Sequence, residues 1–183
     1  MDIKDFFQIS AGKWFSHRTS HDLASNQSES GKSDLNIELL EKTDPVVVQI
    51  CQQHQVQPDL AVCGLRVSWE GYMQRDPSKL KGSTVLVPIA DIAQVGAGQL
   101  LRKSNSDKKI ANTGRYELGT DEALTLITED ESLYAEERIW FASPNLRLRT
   151  SVVKHLDGFS LASFSSEIRL GVTQLAANAS AAS

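Results

Sequence analysis

Residues 145–153, NLRLRTSVV, alternate without a break. Leu146, Leu148, Thr150 and Val152 fall on one side, and Asn145, Arg147, Arg149 and Ser151 on the other. A period of two is the repeat of a β-strand and excludes a helix over this stretch. Just upstream, Arg138 and Trp140 alternate with Glu137, Ile139 and Phe141, and Ser143-Pro144 between the two runs supplies a turn. The pair therefore reads as an antiparallel hairpin with one charged row. That row has two possible uses: a solvated outer face, or a wall that reads anions. Arginine carries a rigid donor fork that engages a carboxylate through two bonds. Arg147 and Arg149 stand roughly 6–7 Å apart along the strand. That spacing suits a ligand with two carboxylates, or one carboxylate and a neighbouring polar group.

The same period recurs along most of the chain. Residues 2–9 are the exception at the start: Ile3, Phe6 and Phe7 share a helical face behind Asp2 as cap, and Gly12 ends the helix. Lys13 to Leu23 alternates as a strand with Trp14 and Arg18 on one side, which lets Arg18 join the arginine wall. Residues 25–33, SNQSESGKS, read as a polar loop, followed by a strand through Leu35, Ile37 and Leu39. Asp44-Pro45 opens a second helix that runs to about His54. Val67, Trp69, Gly71 and Met73 share one face of the next strand, which ends at the turn Asp76-Pro77-Ser78.

Further short strands are expected at 84–89 and 99–103, then from Gly114 and from Leu124. Residues 91–98 read as plain connection, 104–109 as a polar turn, and Leu156-Asp157-Gly158 as another turn. The last strand, 159–170, puts Ser163, Ser165, Glu167 and Arg169 on one side. The sum is a mostly β chain of nine or ten short strands with an N-terminal helix and a second short one, and the spacing of its turns suggests an antiparallel barrel or a sandwich. One domain over 1–171 and a flexible Ala/Ser-rich tail over 172–183 complete the expectation.

Several function classes are set aside. A net charge of −4 gives no basic footprint for nucleic acid. No apolar run is long enough for a membrane helix, and the start MDIKDFF does not read as a signal peptide. A cytoplasmic protein is therefore expected, with Cys51 and Cys63 as reduced thiols. His17 and His21 share a strand face but lie too far apart for one metal ion, so no metal site is expected. Serine-nucleophile, dinucleotide and zinc-protease signatures are lacking. What remains is a cavity furnished with arginines and carboxylates, where any catalysis comes from positioning and proton supply.

At this point a set of ordered motifs acquires meaning. Phe6-Phe7, Ser10-Ala11-Gly12-Lys13-Trp14, Arg18-Thr19-Ser20-His21, Val67-Ser68-Trp69-Glu70-Gly71 with Met73, and Gly82-Ser83-Thr84-Val85 run in sequence. Gly114-Arg115-Tyr116, Glu137-Arg138, Trp140-Phe141, Asn145 to Ser151, and Ser166-Glu167-Ile168-Arg169 follow. Together they resemble the S-type (S/U) phycobiliprotein chromophore lyases over residues 6–170. Three places depart from the family pattern. Arg75-Asp76 stands where a Trp-Asp pair is usual, Ser166 replaces a cysteine, and 104–109 replaces a Gly-Tyr-Ala-Glu run.

The resemblance implies an antiparallel barrel of about ten strands, lipocalin-like or fatty-acid-binding-protein-like, that holds a phycobilin, such as phycocyanobilin, as a transient substrate with no permanently bound cofactor. The bilin passes as a thioether to a cysteine of a phycobiliprotein α or β subunit. Arg18, Arg147, Arg149 and Ser151 would hold the ligand's polar groups, and Trp69 and Met73 its flat π-system. Glu137 and Glu167 would be the catalytic acids beside the pyrrole N–H groups. The setting implied is the cyanobacterial cytosol or a plastid stroma, with the chain acting alone, as a homodimer, or as a heterodimer with a related lyase subunit. Two alternatives stay open: a non-catalytic bilin-binding or partner subunit, and a carrier of another amphipathic ligand.

Overall fold

The computed structural model describes residues 1–76, 78–104 and 113–171. Ten strands follow one another: β1 (Gly12–Asp22), β2 (Gln27–Leu40), β3 (Gly64–Met73), β4 (Leu80–Ala90), β5 (Ala97–Ser104), β6 (Thr113–Leu118), β7 (Leu124–Glu129), β8 (Leu133–Ser143), β9 (Leu146–His155) and β10 (Ser160–Arg169). Each pairs antiparallel with its neighbour in sequence, and β1 pairs with β10 to close the barrel. Closure removes every sheet edge, so the backbone of the wall is satisfied internally. Two helices decorate it, α1 (Ile3–Ser10) and α2 (Pro45–Gln53).

α1 forms because Asp2 and Asp5 cap each other reciprocally. The Asp2 carboxylate accepts from the Asp5 N–H at 2.8 Å, and the Asp5 carboxylate from the Asp2 N–H at 3.1 Å. Its buried face, Ile3, Phe6 and Phe7, packs with Trp14, Ile37, Cys63 and Leu124 into the core and closes one end of the barrel. Arg169 ties down the far end of the helix. Its guanidinium donates to the Ala11 carbonyl at 2.7 Å, to Ile9 at 2.5 Å and to Pro144 in the β8–β9 turn at 3.2 Å. It also stacks 4.2 Å from the Trp14 ring centroid. A cation at a helix C-terminus meets the negative end of the dipole. Gly12, at φ +130°, makes the sharp exit into β1 that this arrangement requires.

α2 begins at Asp44, which accepts from the Val46 N–H at 2.9 Å, with Pro45 in the first turn. It buries Val47, Ile50 and Cys51 against Val85, Val87 and Leu101 on the outer face of β4 and β5. That contact fixes the phase of the barrel: odd residues of β5 face α2, even ones the lumen. Among the described residues no helix is long and apolar enough to cross a membrane.

The ten-stranded barrel and both helices match the sequence expectation, with local differences. Residues 27–33 are not loop but the first half of β2. Their lumen side carries Glu29, Gly31 and Ser33, paired across to Ser20, Arg18 and Ser16 of β1, so no apolar alternation marks the strand. β4 extends to Leu80 and Ala90, beyond the expected 84–89, and β5 takes Ala97 and Gly98 from the expected 91–98 connection. Of the polar turn expected at 104–109, Ser104 ends β5 and the rest lies outside the described residues, as does the 172–183 tail.

The core predicts where stability resides. Phe6→Ala is expected to cost about 3–5 kcal/mol in urea unfolding, because a filled floor becomes a void. Cys63 is fully buried, and desolvation pushes its thiol up to about 12 from an ordinary value of 9.0. Between those pH values the unfolded chain releases a proton that the folded chain keeps. Stability should therefore fall as pH rises from about 9 toward 12, by about 1.4 kcal/mol per pH unit for this one group. Cys63→Ala should remove that component of the slope; an unchanged slope would contradict it.

Candidate functional site

The row of Arg147, Arg149 and Ser151 on β9 faces inward. β9 pairs Arg147 with Phe141, Arg149 with Ile139 and Ser151 with Glu137 on β8. On its other side it pairs Arg147 with Glu167, Arg149 with Ser165 and Ser151 with Ser163 on β10. β1 then sets Arg18 opposite Ser165, and β2 and β3 carry the row through Gly31 to Met73. The register therefore brings Arg18, Met73, Glu137, Arg147, Arg149, Ser151 and Glu167 to one lumen wall. Leu146, Leu148 and Val152 point outward, the reverse of a simple apolar-in rule.

Glu167 is the centre. It is fully buried, with 0% exposure. Arg147 donates through Nε at 2.6 Å and approaches through Nη2 at 2.5 Å, both to Oε2. Arg149 Nη2 sits 3.0 Å from Oε1. That contact lacks hydrogen-bond alignment, so Oε1 is buried beneath Arg149 with its accepting capacity unused. Arg147 is itself buried and rests 5.1 Å over the Trp14 ring. Desolvation lowers its pKa against the opposing pull of Glu167. Desolvation also works on Arg149, but Glu167 and Glu137 outweigh it and leave that guanidinium above its ordinary value.

Arg18 differs. It keeps solvent contact, yet its surroundings desolvate it and the Arg149 charge adds to the effect, so its pKa is lowered. A side chain standing inside an open cup behaves this way. Its Nη2 lies 3.5 Å from the Met73 sulfur, a weak acceptor that leaves the fork free for a stronger one. The Met73 sulfur leans over Gly31, where a Cβ would fall only 2.6 Å from it. Trp69, two pleat repeats deeper on β3, lays its ring over Gly82 of β4 with the same lack of room. Glycine on the facing strands thus lets two large side chains lie flat against the wall. Ser20 and Ser163 share a hydrogen bond of 3.0 Å in the same wall.

Among the described residues no group of His, Cys, Asp and Glu has metal-holding geometry. A cleft of about 780 Å³ also lies on the outer face of β1–β4, but Lys13 and Lys81 there are matched by Asp34 and Glu70. Its balanced charge makes it a poorer anion site than the lumen. The sequence did not single out Arg102. Leu100 and Leu101 are both buried, one in each core cluster, and that double apolar step hides the phase of β5.

Known proteins share this architecture. The model of the CpeS-like protein family matches residues 2–170. A chromophore lyase CpcS/CpeS of Thermosynechococcus vestitus is 61% identical over 95% of this chain and 96% of its own length. A protein named phycocyanobilin lyase subunit CpcS, from a Picosynechococcus species, is 42% identical over 98% of this chain and 92% of its own. The solved S-type phycobiliprotein lyase CPES of Guillardia theta superposes with a TM-score of 0.84 at 36% identity, covering 94% of this chain and 95% of that one.

The buried triad carries a testable cost. Glu167→Leu should destabilise the fold by about 3–5 kcal/mol, because Arg147 is left charged and unpaired in the interior. Arg147→Met should cost a similar amount. The double variant should lose less than the sum in urea unfolding; simple additivity would mean the pair is not coupled.

Proposed function

The chain belongs to the CpeS-like family, and from that premise we propose that it is a bilin lyase. It takes up an open-chain tetrapyrrole non-covalently, with phycocyanobilin the first candidate, and passes it to a cysteine of a phycobiliprotein α or β subunit. The setting is the cyanobacterial cytosol or a plastid stroma. The observation that carries this reading is the convergence of Arg18 and Arg149 on the same lumen as Glu137 and Glu167. A bilin presents two propionates and a run of pyrrole nitrogens. It therefore needs cations and a carboxylate side by side.

The arginines divide the work. Arg147, stacked on Trp14 and bonded twice to Glu167, is a positioning residue. Arg18 and Arg149 face the cup and take the propionates by charge-assisted bonds, with Ser151 alongside. Trp69 and Met73 pack against the conjugated plane. Glu167 Oε1 and Glu137 accept from pyrrole N–H groups and favour the protonated ligand. Protonation withdraws electrons from the ring A ethylidene.

The client thiolate then attacks the ethylidene carbon. A C–S bond forms, the exocyclic π bond opens toward the ring, and the proton lost by the thiol ends on the tetrapyrrole. The step is an addition and needs no oxidant. The lyase's own thiols do not compete: Cys51 and Cys63 are fully buried, and Cys63 stays protonated far above neutral pH.

A second reading is a supporting subunit of a two-chain lyase. Two observations favour it. One relative is named a lyase subunit, and β10 turns Phe164 and Ile168 outward at 46% and 54% exposure, a surface suited to a related chain.

Mixing the purified protein with phycocyanobilin and then with an apo-phycobiliprotein subunit separates the readings. A red-shifted complex followed by a denaturant-stable adduct on the client supports the lyase; a shift with no adduct unless a related chain is added supports the subunit. Arg18→Ala with Arg149→Ala should fold and weaken bilin binding by at least about tenfold. Unchanged affinity would remove both residues from the site.

A further inference from the structure

The wall from Met73 to Glu137 runs over β3, β2, β1, β10, β9 and β8, and leaves β4 to β7 to complete the lumen. β5 stands four strands from β9 and four from β1 in a ring of ten, so it faces the arginine wall. With strands about 4.8 Å apart and tilted as in other barrels, the lumen is roughly 20 Å across between backbones. On β5, Leu101 packs under α2, and Lys103 Nζ donates to Gln49 of α2 at 3.0 Å. Leu100 packs in the lumen core. Arg102 is the next even residue. It is half-buried and pairs with Leu86, another lumen residue, so it projects inward above the apolar floor.

We propose that Arg102 is a second point of ligand recognition, one that binds a terminal lactam oxygen of the tetrapyrrole. This rests on the bilin reading above. The chemistry of the ligand decides which group Arg102 meets. The two propionates hang from neighbouring inner rings along one edge, so both go to the Arg18–Arg149 side. The strong acceptors left for the opposite side are the lactam carbonyls of the end rings. A guanidinium donates to such an oxygen without requiring a negative charge.

Gripping both sides at once fixes how far the flexible ligand is folded. That fold governs where the ring A ethylidene points when the client thiol arrives. Arg102 is therefore a specificity-determining residue: it reads ligand shape, while Arg18 and Arg149 read charge.

The test uses phycocyanobilin and its dimethyl ester, which keeps both lactams and loses both carboxylates. Each is titrated by absorption into the full-length wild type, Arg102→Leu, Arg102→Lys and Arg18→Ala, with thermal midpoints checked in parallel. Arg102→Leu should weaken the acid and the ester by the same factor, about tenfold, as expected for one lost hydrogen bond to a charged donor. It should also change the ratio of the near-ultraviolet to the visible band of the bound pigment. Arg102→Lys should recover part of both effects, and Arg18→Ala should weaken the acid alone.

A loss confined to the acid would make Arg102 a propionate ligand and overturn the proposal. Unchanged affinity and unchanged band ratio in Arg102→Leu would overturn it as well, while leaving the lyase reading in place. A wild type that binds neither form removes the tetrapyrrole reading and this inference with it.

Discussion

Burying Glu167 completely obliges the surrounding wall to supply its counter-charge. A carboxylate in a dry barrel wall costs several kcal/mol unless it is paired and hydrogen-bonded. Arg147 meets that demand with two contacts to one oxygen, and Arg149 stands over the other. Arg147 in turn needs cover, which Trp14 provides, and Trp14 needs its indole N–H satisfied, which the Ser10 carbonyl does at 2.9 Å. Arg169 stacks on the same ring and holds the end of α1. The helical floor and the ion cluster are thus one connected structure.

A hydrophobic core of the same volume would serve stability at least as well, since buried ion pairs seldom improve on apolar packing. The cluster makes sense as preorganisation. Glu167 is held with one oxygen committed to Arg147 and the other buried under Arg149 with its accepting capacity unused, and Arg149 keeps partial exposure. A ligand that brings propionates and pyrrole N–H groups meets partners already in position, so little ordering remains for the binding step. Inert thiols and an addition that needs no oxidant fit the proposed function, in which the barrel would present the pigment and leave the bond to the client's sulfur.

Much of this was legible from alternation. The β9 run gave its strand and both faces correctly, and the side shared by Ser163, Ser165, Glu167 and Arg169 on β10 is the lumen side. Capping residues placed both helices. Alternation failed where the lumen is polar: Glu29, Gly31 and Ser33 are the inward residues of the first half of β2, none of them a large apolar side chain, so that half looked like loop. It could not say which face of β9 was inside, because Leu148 and Arg149 are equally good strand residues and only closure against Glu167 decides. Arg102 stayed hidden because β5 is buried on both faces, by the lumen core on one side and α2 on the other. The helical latch through Arg169 depends on three carbonyls brought together by tertiary contact, and no local pattern encodes that.

The most direct test of the account is a crystal structure of the protein soaked or co-crystallised with phycocyanobilin. Density for the pigment is predicted inside the barrel, with its propionates on Arg18 and Arg149 and its pyrrole nitrogens toward Glu167 and Glu137. Pigment bound instead in the cleft outside β1–β4, with the lumen arginines untouched, would contradict it.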